Sequence, residues 1–349
     1  MVKDTVYYSL EEIKKRKDLD KKKPTFYLIS YNRSAGKTMA VLIECLQTVQ
    51  KKRKFILLYR CNYELSGCAM IFDDVLKIYP EYGKEIYAQP IARGLFYEIF
   101  LDKESVGFSL SLNNPDALKK YSPVFAEVDV ILFDEFITES GKYVKNEIQN
   151  LQSILLTIAR GGGKQSRDIS VYMLANRVTI MNPYFIEFGI YNRLRDDTKF
   201  MRGHGWVAEF GYNESASEAI KENGISRAFK TRYLQSMTES VYLHESEMFV
   251  DSVSGRSKYL CTILYDNKSY GIRDYYDKGI LYITSKSDKS CTTILAFRAS
   301  DHNQVTQMIS HYSYTWQFIK ESFQNGMLRF DNLKTKSIIF DILAIDLYK

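Results

Sequence analysis

The sequence predicts an α/β protein with a mostly parallel sheet and flanking helices, followed by a smaller α+β domain. Two short apolar runs support the first part of this prediction. Residues 26–29 lead into a polar loop and then a helix, and residues 130–133 end in Asp134 and Glu135. Runs of this length that are apolar throughout are typical of strands buried on both faces of a sheet. The second part rests on the pattern after residue 230, where strand-like segments come first and helical segments follow.

Length, charge and cysteine content restrict the class of protein. The 349 residues are enough for two domains of ordinary size, and a charge of +6 with a pI near 8.8 fits either a polyanionic partner or plain solubility. The five cysteines include no C-x-x-C pair, so neither a disulfide framework nor a zinc site is indicated. No apolar stretch approaches the length of a membrane span, and the N-terminus lacks the apolar core of a signal peptide. A cytoplasmic protein without a membrane partner is therefore expected.

The first polar loop has the outline of a phosphate-binding P-loop. The stretch TFYLISYNRSAGKTMAVLIECLQTV predicts a strand, a loop and a helix, and the loop ends in Gly36, Lys37 and Thr38. In such a loop, backbone N–H groups and the helix N-terminus bind phosphate, the lysine reaches the outer phosphates, and the hydroxyl binds Mg²⁺. The pattern asks for glycine five positions before Gly36, and Tyr31 stands there.

The second apolar run has the form of a Walker B strand. Asp134 would hold Mg²⁺ through water beside Thr38, and Glu135 would polarise the water that attacks the γ-phosphate. Apolar runs followed by acids are common, but this one follows a near-complete P-loop by about a hundred residues. Together the two stretches predict nucleotide hydrolysis.

Local signals define the neighbouring elements near the N-terminus. Ser9 with Glu12 has the spacing of a capping box, which predicts a helix over residues 10–17. The basic stretch from Lys14 to Lys23 is interpreted as a solvated connector in preference to a phosphate-contacting patch. Tyr7 and Tyr8 are candidates for stacking on a nucleotide base. Residues 54–59 predict a buried strand that ends at Arg60, where ligand-facing residues of α/β sheets usually lie.

Further elements are predicted on both sides of the acidic pair. Residues 105–112 predict a strand before it, and residues 147–160 predict a helix after it that ends at three glycines, 161–163. A strand over residues 169–175 then delivers Asn176 and Arg177. At this edge Asn176 would lie near the γ-phosphate as a polar sensor, or would simply terminate the strand in a turn.

The stretches SYNRSAGKT, LLYRCNYEL, LKKYSPVFAEVDVILFDEF and LANRVTIMNPYF resemble the DNA-packaging ATPases of phi29-type bacteriophages, relatives of large terminase subunits. The likeness covers most of residues 1–205. It implies a P-loop ATPase of the additional-strand (ASCE) class that uses ATP and Mg²⁺ to drive double-stranded DNA through a portal into an empty capsid. It also implies a ring, a pentamer by resemblance, that docks on the procapsid in the host cytoplasm, with a structural packaging RNA as a further candidate partner.

The resemblance assigns roles by position. The catalytic residues would be Glu135, Lys37, Arg160 and Arg33. The nucleotide-binding residues would be Tyr31, Asn32, Arg33, Ser34, Ala35, Gly36, Lys37, Thr38, Arg60 and Asn176, and the metal ligands Thr38 and Asp134. Arg160, at the end of its predicted helix, resembles the family's trans-acting arginine, with Arg167 as the nearest rival for that role. The predicted nucleic-acid contacts are Lys119, Lys120, Lys142 and Lys145.

The predicted domains are an ATPase over residues 1–205, a linker over 206–230 and a second domain over 231–349. In the second domain, strands are expected at 259–265, 268–273, 280–284 and 292–297, with a tight turn at Asp266 and Asn267. Helices are expected at 301–311 and 314–324, while the C-terminal SIIFDILAID fits a strand or a helix.

Terminase relatives carry an RNase H-like nuclease in this place, and the resemblance assigns that fold. The acids near strand ends are Asp266, Asp341 and Asp346, and none stands in a paired-acid setting, so a vestigial domain without nuclease activity is expected. It would dock on the portal or on a structural RNA, with phosphate contacts from Lys258, Arg256, Lys268 and Arg273.

Two other functions remain open from the sequence. The chain could be a nucleotide-gated assembly protein, although Glu135 argues against this because a switch that does not hydrolyse ATP has no need of it. It could instead be a helicase-loader-like P-loop ATPase that acts on single-stranded nucleic acid. The nucleic-acid substrate distinguishes these alternatives. A packaging motor responds to double-stranded DNA and portal, whereas a loader responds to single strands and helicase.

Overall fold

A computed structural model describes residues 7–138, 143–160, 165–176, 182–191, 193–194, 197–228, 250–309, 314–324 and 327–347. The chain forms two compact units. The first comprises Met1–Thr138, Asn146–Val178 and Arg193–Ser240, and the second comprises Glu139–Lys145, Thr179–Asn192 and Val241–Lys349.

Among the described residues, the first unit contains a mixed sheet of nine strands. Their bounds are β1 Phe26–Tyr31, β2 Lys54–Tyr59, β3 Ile86–Ile91, β4 Phe96–Leu101, β5 Glu104–Ser111, β6 Val128–Phe133, β7 Ser170–Asn176, β8 Phe200–Gly203 and β9 Trp206–Phe210. The order is β3-β4-β5-β2-β6-β7-β1-β9-β8. Six strands that are adjacent in the sheet, β5, β2, β6, β7, β1 and β9, run parallel to one another. Strands β3, β4 and β8 are antiparallel to their neighbours. The predicted mostly parallel α/β sheet is confirmed.

Helices flank this sheet. Their bounds are α1 Glu11–Lys14, α2 Lys37–Gln50, α3 Asp73–Ile78, α4 Pro115–Leu118, α5 Glu147–Ile158, α7 Glu214–Glu222 and α8 Gly224–Ala228, and α6 Pro183–Glu187 belongs to the second unit. Short 3₁₀ turns cover Asn62–Gly67, Met70–Phe72, Pro80–Tyr82 and Lys119–Phe125. The four middle residues of β1 and of β2 are all buried, which is typical of strands covered on both faces of a sheet.

Two parallel pairings position the candidate site. Tyr31 at the end of β1 pairs with Asn176 at the end of β7, and Leu58 of β2 pairs with Phe133 of β6. Because parallel strands end at the same edge of a sheet, this register places the residues after β2 and β6 beside each other. Strand β7 lies between β1 and β6.

The second unit contains a smaller mixed sheet. Its described strands are β10 Lys258–Tyr265, β11 Lys268–Tyr275, β12 Ile280–Thr284, β13 Ile294–Ala296, β14 Gln307–Met308 and β15 Leu328–Phe330, in the order β14-β13-β10-β11-β12-β15. Two longer helices, α9 Tyr314–Gln324 and α10 Leu333–Leu347, come after β14, with the short strand β15 between them. Apart from β15, the predicted succession of strands and then helices is confirmed, and the C-terminal segment that fitted either class is helical.

A tight hairpin turn and a shared hydrophobic core stabilise this unit. Asp266 and Asn267 both have positive φ, 56° and 57°, as a two-residue hairpin turn requires, and the buried Asp301 accepts hydrogen bonds from their backbone N–H groups. The core contains Trp316 and Phe340 from the helices and Ile263 and Ile272 from the sheet. The helix predicted over 301–311 is wrong, because the chain there forms a 3₁₀ turn at Ala299–Asp301 and then β14.

The predicted domain boundaries need two corrections. Trp206–Phe210 is not linker but strand β9, which pairs with β1 inside the first sheet. Residues 179–192, predicted in the ATPase domain, belong to the second unit, where Ile186 of α6 packs in the core. The rest of the predicted linker that the structure describes includes two short helices, α7 and α8.

The predicted N-terminal capping box is also absent. The helix is shorter than residues 10–17, and Ser9 accepts a hydrogen bond from Glu11 N at 3.3 Å. The Glu12 carboxylate turns instead to Lys15 and Arg16, at 3.1 and 4.0 Å. Across the part of the chain that the structure describes, no helix is long and apolar enough to cross a membrane.

Candidate active site

The loop between β1 and α2 is shaped by two left-handed residues. Ser34 has φ 62° and Gly36 has φ 88°. Gly36 immediately precedes α2, whose first N–H groups have no partners within the helix and can bind an anion. A side chain at position 36 would also meet Tyr7, since an added Cβ would lie 2.9 Å from Cδ1 of that ring. Both backbone conformation and space therefore require glycine here.

Lys37 is held at the centre of this loop. Its side chain is only 7% exposed, and Nζ donates to Asn32 O at 3.0 Å, Tyr31 O at 3.4 Å and Asn176 Oδ1 at 3.2 Å. Burial lowers the pKa of Lys37 to about 8, and the nearby Asp134 and Glu135 carboxylates oppose that shift. A cation held by neutral oxygens is available to bind phosphate.

Thr38 and Asp134 meet across the sheet edge. Thr38 Oγ1 donates to Asp134 Oδ2 at 2.7 Å, and the Glu135 backbone N–H donates to Asp134 Oδ1 at 2.9 Å. Burial raises the pKa of Asp134, and these two hydrogen bonds oppose the shift. A hydroxyl and a carboxylate are hard oxygen ligands of the kind that Mg²⁺ prefers when substrate phosphates and water complete the shell. The described residues contain no cluster of three or more metal-ligating side chains.

Glu135 lies at the rim of the site with an unusual backbone. It is exposed and has φ 53°, a conformation that non-glycine residues rarely adopt and that recurs at functional sites. Arg60 fixes this conformation from behind, since it donates to Glu135 O at 3.2 Å and to Phe136 O at 3.0 Å. The Phe136 N–H donates to Leu174 O of β7 at 3.0 Å.

Arg60 is itself held by a buried acid that the sequence analysis did not single out. Its guanidinium binds both carboxylate oxygens of Glu147, with N···O distances of 3.0 to 3.2 Å. The Glu147 side chain is 2% exposed and that of Arg60 14%. Acids are common in the first turn of a helix, as Glu147 is in α5, so the sequence offers no signal for this pairing.

A cavity of about 890 Å³ opens in front of the loop. It brings together most of the predicted site residues: Arg33, Ser34, Ala35, Gly36, Lys37, Thr38, Asp134, Glu135 and Asn176. Tyr7 and Tyr8 also line it, together with apolar side chains such as Ile43 and Tyr79. The cavity thus has a charged end at the loop and a partly apolar end along α2.

Three predicted nucleotide-binding residues do not line this cavity. Arg60 is one, because it lies behind Glu135. The Asn32 side chain is buried and exchanges two hydrogen bonds with the backbone of Asn213, donating to O at 2.9 Å and accepting from N at 2.7 Å. Asn213 also caps α7 by accepting from Ala216 N at 3.0 Å.

Tyr31 is the third. Its hydroxyl donates to Glu209 Oε1 at 2.8 Å, and Tyr8 donates to Oε2 of the same buried carboxylate at 2.8 Å. The ring lies directly against Gly211, where an added Cβ would be 1.9 Å from Cζ of Tyr31. The Tyr31 side chain is therefore directed into the protein beside β9, and only its backbone oxygen contacts Lys37.

The two candidate trans-acting arginines, Arg160 and Arg167, differ in exposure and in their hydrogen bonds. Arg160 is exposed just beyond α5, and the three glycines after it lie outside the described residues. The side chain of Arg167 is only 9% exposed and donates to the backbone oxygens of Val128, Phe125 and Ile158 at 2.7 to 3.0 Å. Arg167 is committed to these intramolecular contacts, so it is not a suitable finger.

The predicted nucleic-acid lysines that the structure describes belong to different units. Lys119 pairs with Asp116 at 2.6 Å, and Lys120 lies 5.3 Å from the Tyr121 ring centroid. Lys145 belongs to the second unit, 3.9 Å from Glu321. Lys142 and Arg177 lie outside the described residues.

The fold and this site describe an α/β protein in which a buried lysine, a hydroxyl and a carboxylate meet at one sheet edge. The chain belongs to the family of podovirus DNA encapsidation proteins (Gp16), whose sequence profile matches residues 4–346. The family predicted from the sequence is confirmed, and with it the role in phage DNA packaging that gives the family its name.

Individual relatives agree with this membership. The DNA packaging protein of Bacillus phage phi29 is 23% identical over 316 residues, which cover 89% of this chain and 90% of that protein. The solved phi28 gp11 DNA packaging motor aligns with a TM-score of 0.55 and 18% identity over 98% of each chain. The phi29 viral genome packaging motor assembly aligns with a TM-score of 0.51 and 20% identity over 97% of this chain and 98% of that one. At these identities the two structures show a shared fold.

Proposed function

We propose that this chain is an ATP-driven motor that moves double-stranded viral DNA through the portal into a preformed capsid. The observation that carries the proposal is the meeting of Lys37, Thr38 and Asp134 at the mouth of one cavity, with Glu135 on its rim, in a DNA encapsidation protein. This is the donor set that ATP hydrolysis requires: a cation for phosphate, oxygen ligands for Mg²⁺ and a carboxylate for water.

Each group has a distinct part in hydrolysis. The loop N–H groups and Lys37 bind the phosphates and orient the γ-phosphate toward Glu135. Thr38 and Asp134 would hold Mg²⁺, which neutralises phosphate charge when bound. Glu135, exposed at the rim, accepts a hydrogen bond from the attacking water and positions it in line with the phosphate. Arg33, exposed in the same cavity, adds positive charge on the phosphates from the same subunit.

Arg160 acts on the neighbouring subunit in a ring. Its exposure beyond α5 supports this role, because a finger must leave its own subunit to reach the next site. An arginine supplied in trans is worth about 10³ to 10⁵ in rate, since it stabilises the transition state only when the interface closes.

The second unit is a vestigial RNase H-like domain that docks on the portal or on a structural RNA. Support comes from the three-stranded antiparallel meander β10-β11-β12, with β13 added parallel to β10. Asp266, the best-placed acid, is bound to Arg298 at 2.6 Å and shapes a turn, while burial raises the pKa of Asp341. The side chain of Asp346 lies outside what the structure describes. Lys258, Arg256, Lys268 and Arg273 would contact phosphates.

Separating binding from turnover tests the motor assignment. Lys37→Ala protein should bind a fluorescent ATP analogue weakly, whereas Glu135→Gln protein should bind it normally and release almost no phosphate. Glu81→Gln, which removes one exposed acid that does not line the cavity, is the matched control. Equal phosphate release by wild-type and Glu135→Gln protein would refute the catalytic assignment.

The choice of nucleic acid tests the packaging assignment. Wild-type hydrolysis should rise with duplex DNA in the presence of portal, and DNA should become protected from nuclease inside procapsids. Stimulation by single strands and a helicase instead would identify a loader.

A further inference from the structure

A second cavity in the first unit has a different chemistry from the nucleotide cavity. It measures about 470 Å³ and lies at the edge strand β8. Its lining combines four cations with three apolar residues: Arg16, Lys17, Arg193, Arg202, Phe200, Met201 and Val207. No carboxylate lines it in the part of the chain that the structure describes, whereas Asp134, Glu135, Glu11 and Glu44 line the nucleotide cavity.

The cations come from three separate parts of the chain, and contacts position two of them, Arg16 and Arg193. Arg16 stacks on the Phe200 ring with its guanidinium carbon 4.1 Å from the centroid, and Lys199 lies 5.5 Å from the same centroid. Arg193 donates to the backbone oxygen of Arg202 at 3.3 Å. Glu12 is 4.0 Å from Arg16 but closer, at 3.1 Å, to Lys15. The lining itself therefore carries only positive charge among its ionisable groups.

A structural explanation covers only part of this arrangement. A cation on an edge strand prevents the strand from pairing with another chain, and this accounts for Arg202 on β8. It does not account for Arg16, Lys17 and Arg193, which lie outside the strand and gather around the same cavity. Gathering like charges costs free energy unless an anion joins them, and a cavity with one sign of charge concentrates anions.

We propose that this cavity binds the phosphate backbone of duplex DNA. Lysine and arginine side chains bind DNA by neutralising phosphate charges and releasing counterions, and the lining offers four such cations. Recognition of single strands relies on bases that stack on free aromatic faces, but two cations already lie over Phe200. Phosphate contact without base stacking suits a duplex. The proposal deepens the proposed function, on which it rests, by placing a DNA contact on the motor unit.

The test removes two charges at the cavity and two elsewhere. Full-length Arg193→Gln/Arg202→Gln protein is compared with Lys51→Gln/Lys52→Gln protein, which loses the same charge at an exposed turn after α2. Binding of a fluorescein-labelled blunt duplex of about thirty base pairs is measured by anisotropy across a salt series. At about 0.1 M salt, affinity should fall on the order of tenfold for each arginine–phosphate pair that is removed, and the salt slope should drop by about 1.8. Arg193→Lys/Arg202→Lys should retain most of the affinity.

Several results of these measurements would overturn the proposal that the cavity binds duplex DNA or would reassign the cavity to another ligand. An unchanged affinity and slope in the Gln pair, or an equal loss in the Lys51/Lys52 control, overturns the proposal. So does a loss in the Arg→Lys pair as large as in the Gln pair, because charge would then not be the cause. Competition by millimolar inorganic phosphate at constant ionic strength would identify a small-anion site, and a preference for a structured RNA over the duplex would identify an RNA site.

Nucleotide turnover separates this proposal from the proposed function. The Gln pair should bind the ATP analogue and hydrolyse ATP without DNA as wild type does, because the two cavities share no lining residue. If wild-type protein hydrolyses ATP and responds to duplex DNA but the Gln pair binds DNA normally, only the DNA-contact proposal fails. If wild-type protein neither hydrolyses ATP nor binds DNA, the proposed function itself fails.

Discussion

Replacing Arg60 by alanine should destabilise the first unit and slow hydrolysis through two separable effects. The guanidinium makes three contacts with the Glu147 carboxylate and two with the backbone oxygens of Glu135 and Phe136. Arg60→Ala leaves the Glu147 carboxylate, 2% exposed, without its main counter-charge. It also releases the strained backbone of Glu135.

The magnitude follows from burial. Removing one partner of a buried ion pair costs about 3 to 5 kcal/mol, because the remaining charge is desolvated without compensation. Replacing both partners by apolar residues of similar volume is often close to neutral. Arg60→Met/Glu147→Leu should therefore recover most of the stability that Arg60→Ala removes. It should not recover hydrolysis, because methionine cannot donate to the Glu135 and Phe136 oxygens.

Thermal melting and phosphate release, measured on the same preparations, separate the two effects. Arg60→Ala should lower the Tm of the first unit by about 10 °C, at the usual few degrees per kcal/mol for a unit of this size. The double variant should melt near wild type while its kcat stays low and its affinity for the ATP analogue stays normal. An Arg60→Ala Tm within about 2 °C of wild type would refute the burial argument. Recovered hydrolysis in the double variant would refute the positioning role.

Three further predictions concern other parts of the chain. Arg160→Ala protein should bind ATP but hydrolyse little, and mixing it with Lys37→Ala protein should restore activity; mixed rings seen by native mass spectrometry but without activity would exclude Arg160 as the finger. Full-length protein should not cut DNA with Mn²⁺, and cleavage abolished by Asp266→Ala would reveal an active nuclease. Burial lowers the pKa of Lys336 from 10.5 to about 8, so the folded state releases this proton first and the free energy of unfolding should rise between pH 8 and 10.5. Lys336→Met should make that rise smaller in denaturant titrations, while the contribution of Lys37, whose pKa is also lowered to about 8, remains. An identical pH profile in both proteins would contradict the assignment.

The parts of the fold that could be predicted from the sequence are those marked by apolar periodicity or by polar residues at strand ends. The buried strands β1, β2, β6 and β7 were each evident as short apolar runs, because parallel strands covered on both faces need apolar residues throughout. Strand β9 was missed although all five of its residues are buried. Its sequence, WVAEF, contains Glu209, and a buried acid makes a strand look like an exposed segment unless its two tyrosine partners are known.

In the candidate site too, residues recognised from local sequence patterns were predicted, and residues that act through long-range contacts were not. Residues whose roles are predicted from local spacing, such as Lys37 and Thr38, line one cavity. Glu147 and Asn213 support the site from a distance, and each depends on a contact between parts of the chain that are far apart in sequence. Periodicity contains no information about such contacts. Arg60 was located correctly at the strand end but assigned to the nucleotide, because the sequence could not show that a buried acid already holds it.

Tyr31 explains how a loop that lacks its first glycine keeps its shape. Glycine is required where positive φ and short space coincide, and in this loop both conditions hold at Gly36. Neither condition on the backbone applies at Tyr31, which ends β1 as an ordinary strand residue. The tyrosine ring extends away from the cavity, against the bare Cα of Gly211, and its hydroxyl shares the Glu209 carboxylate with Tyr8. Tyr8 N in turn donates to Ala35 O at 2.8 Å, so the same network holds the loop at both ends. The missing glycine is thus compensated by a second one, Gly211, 180 residues further along the chain.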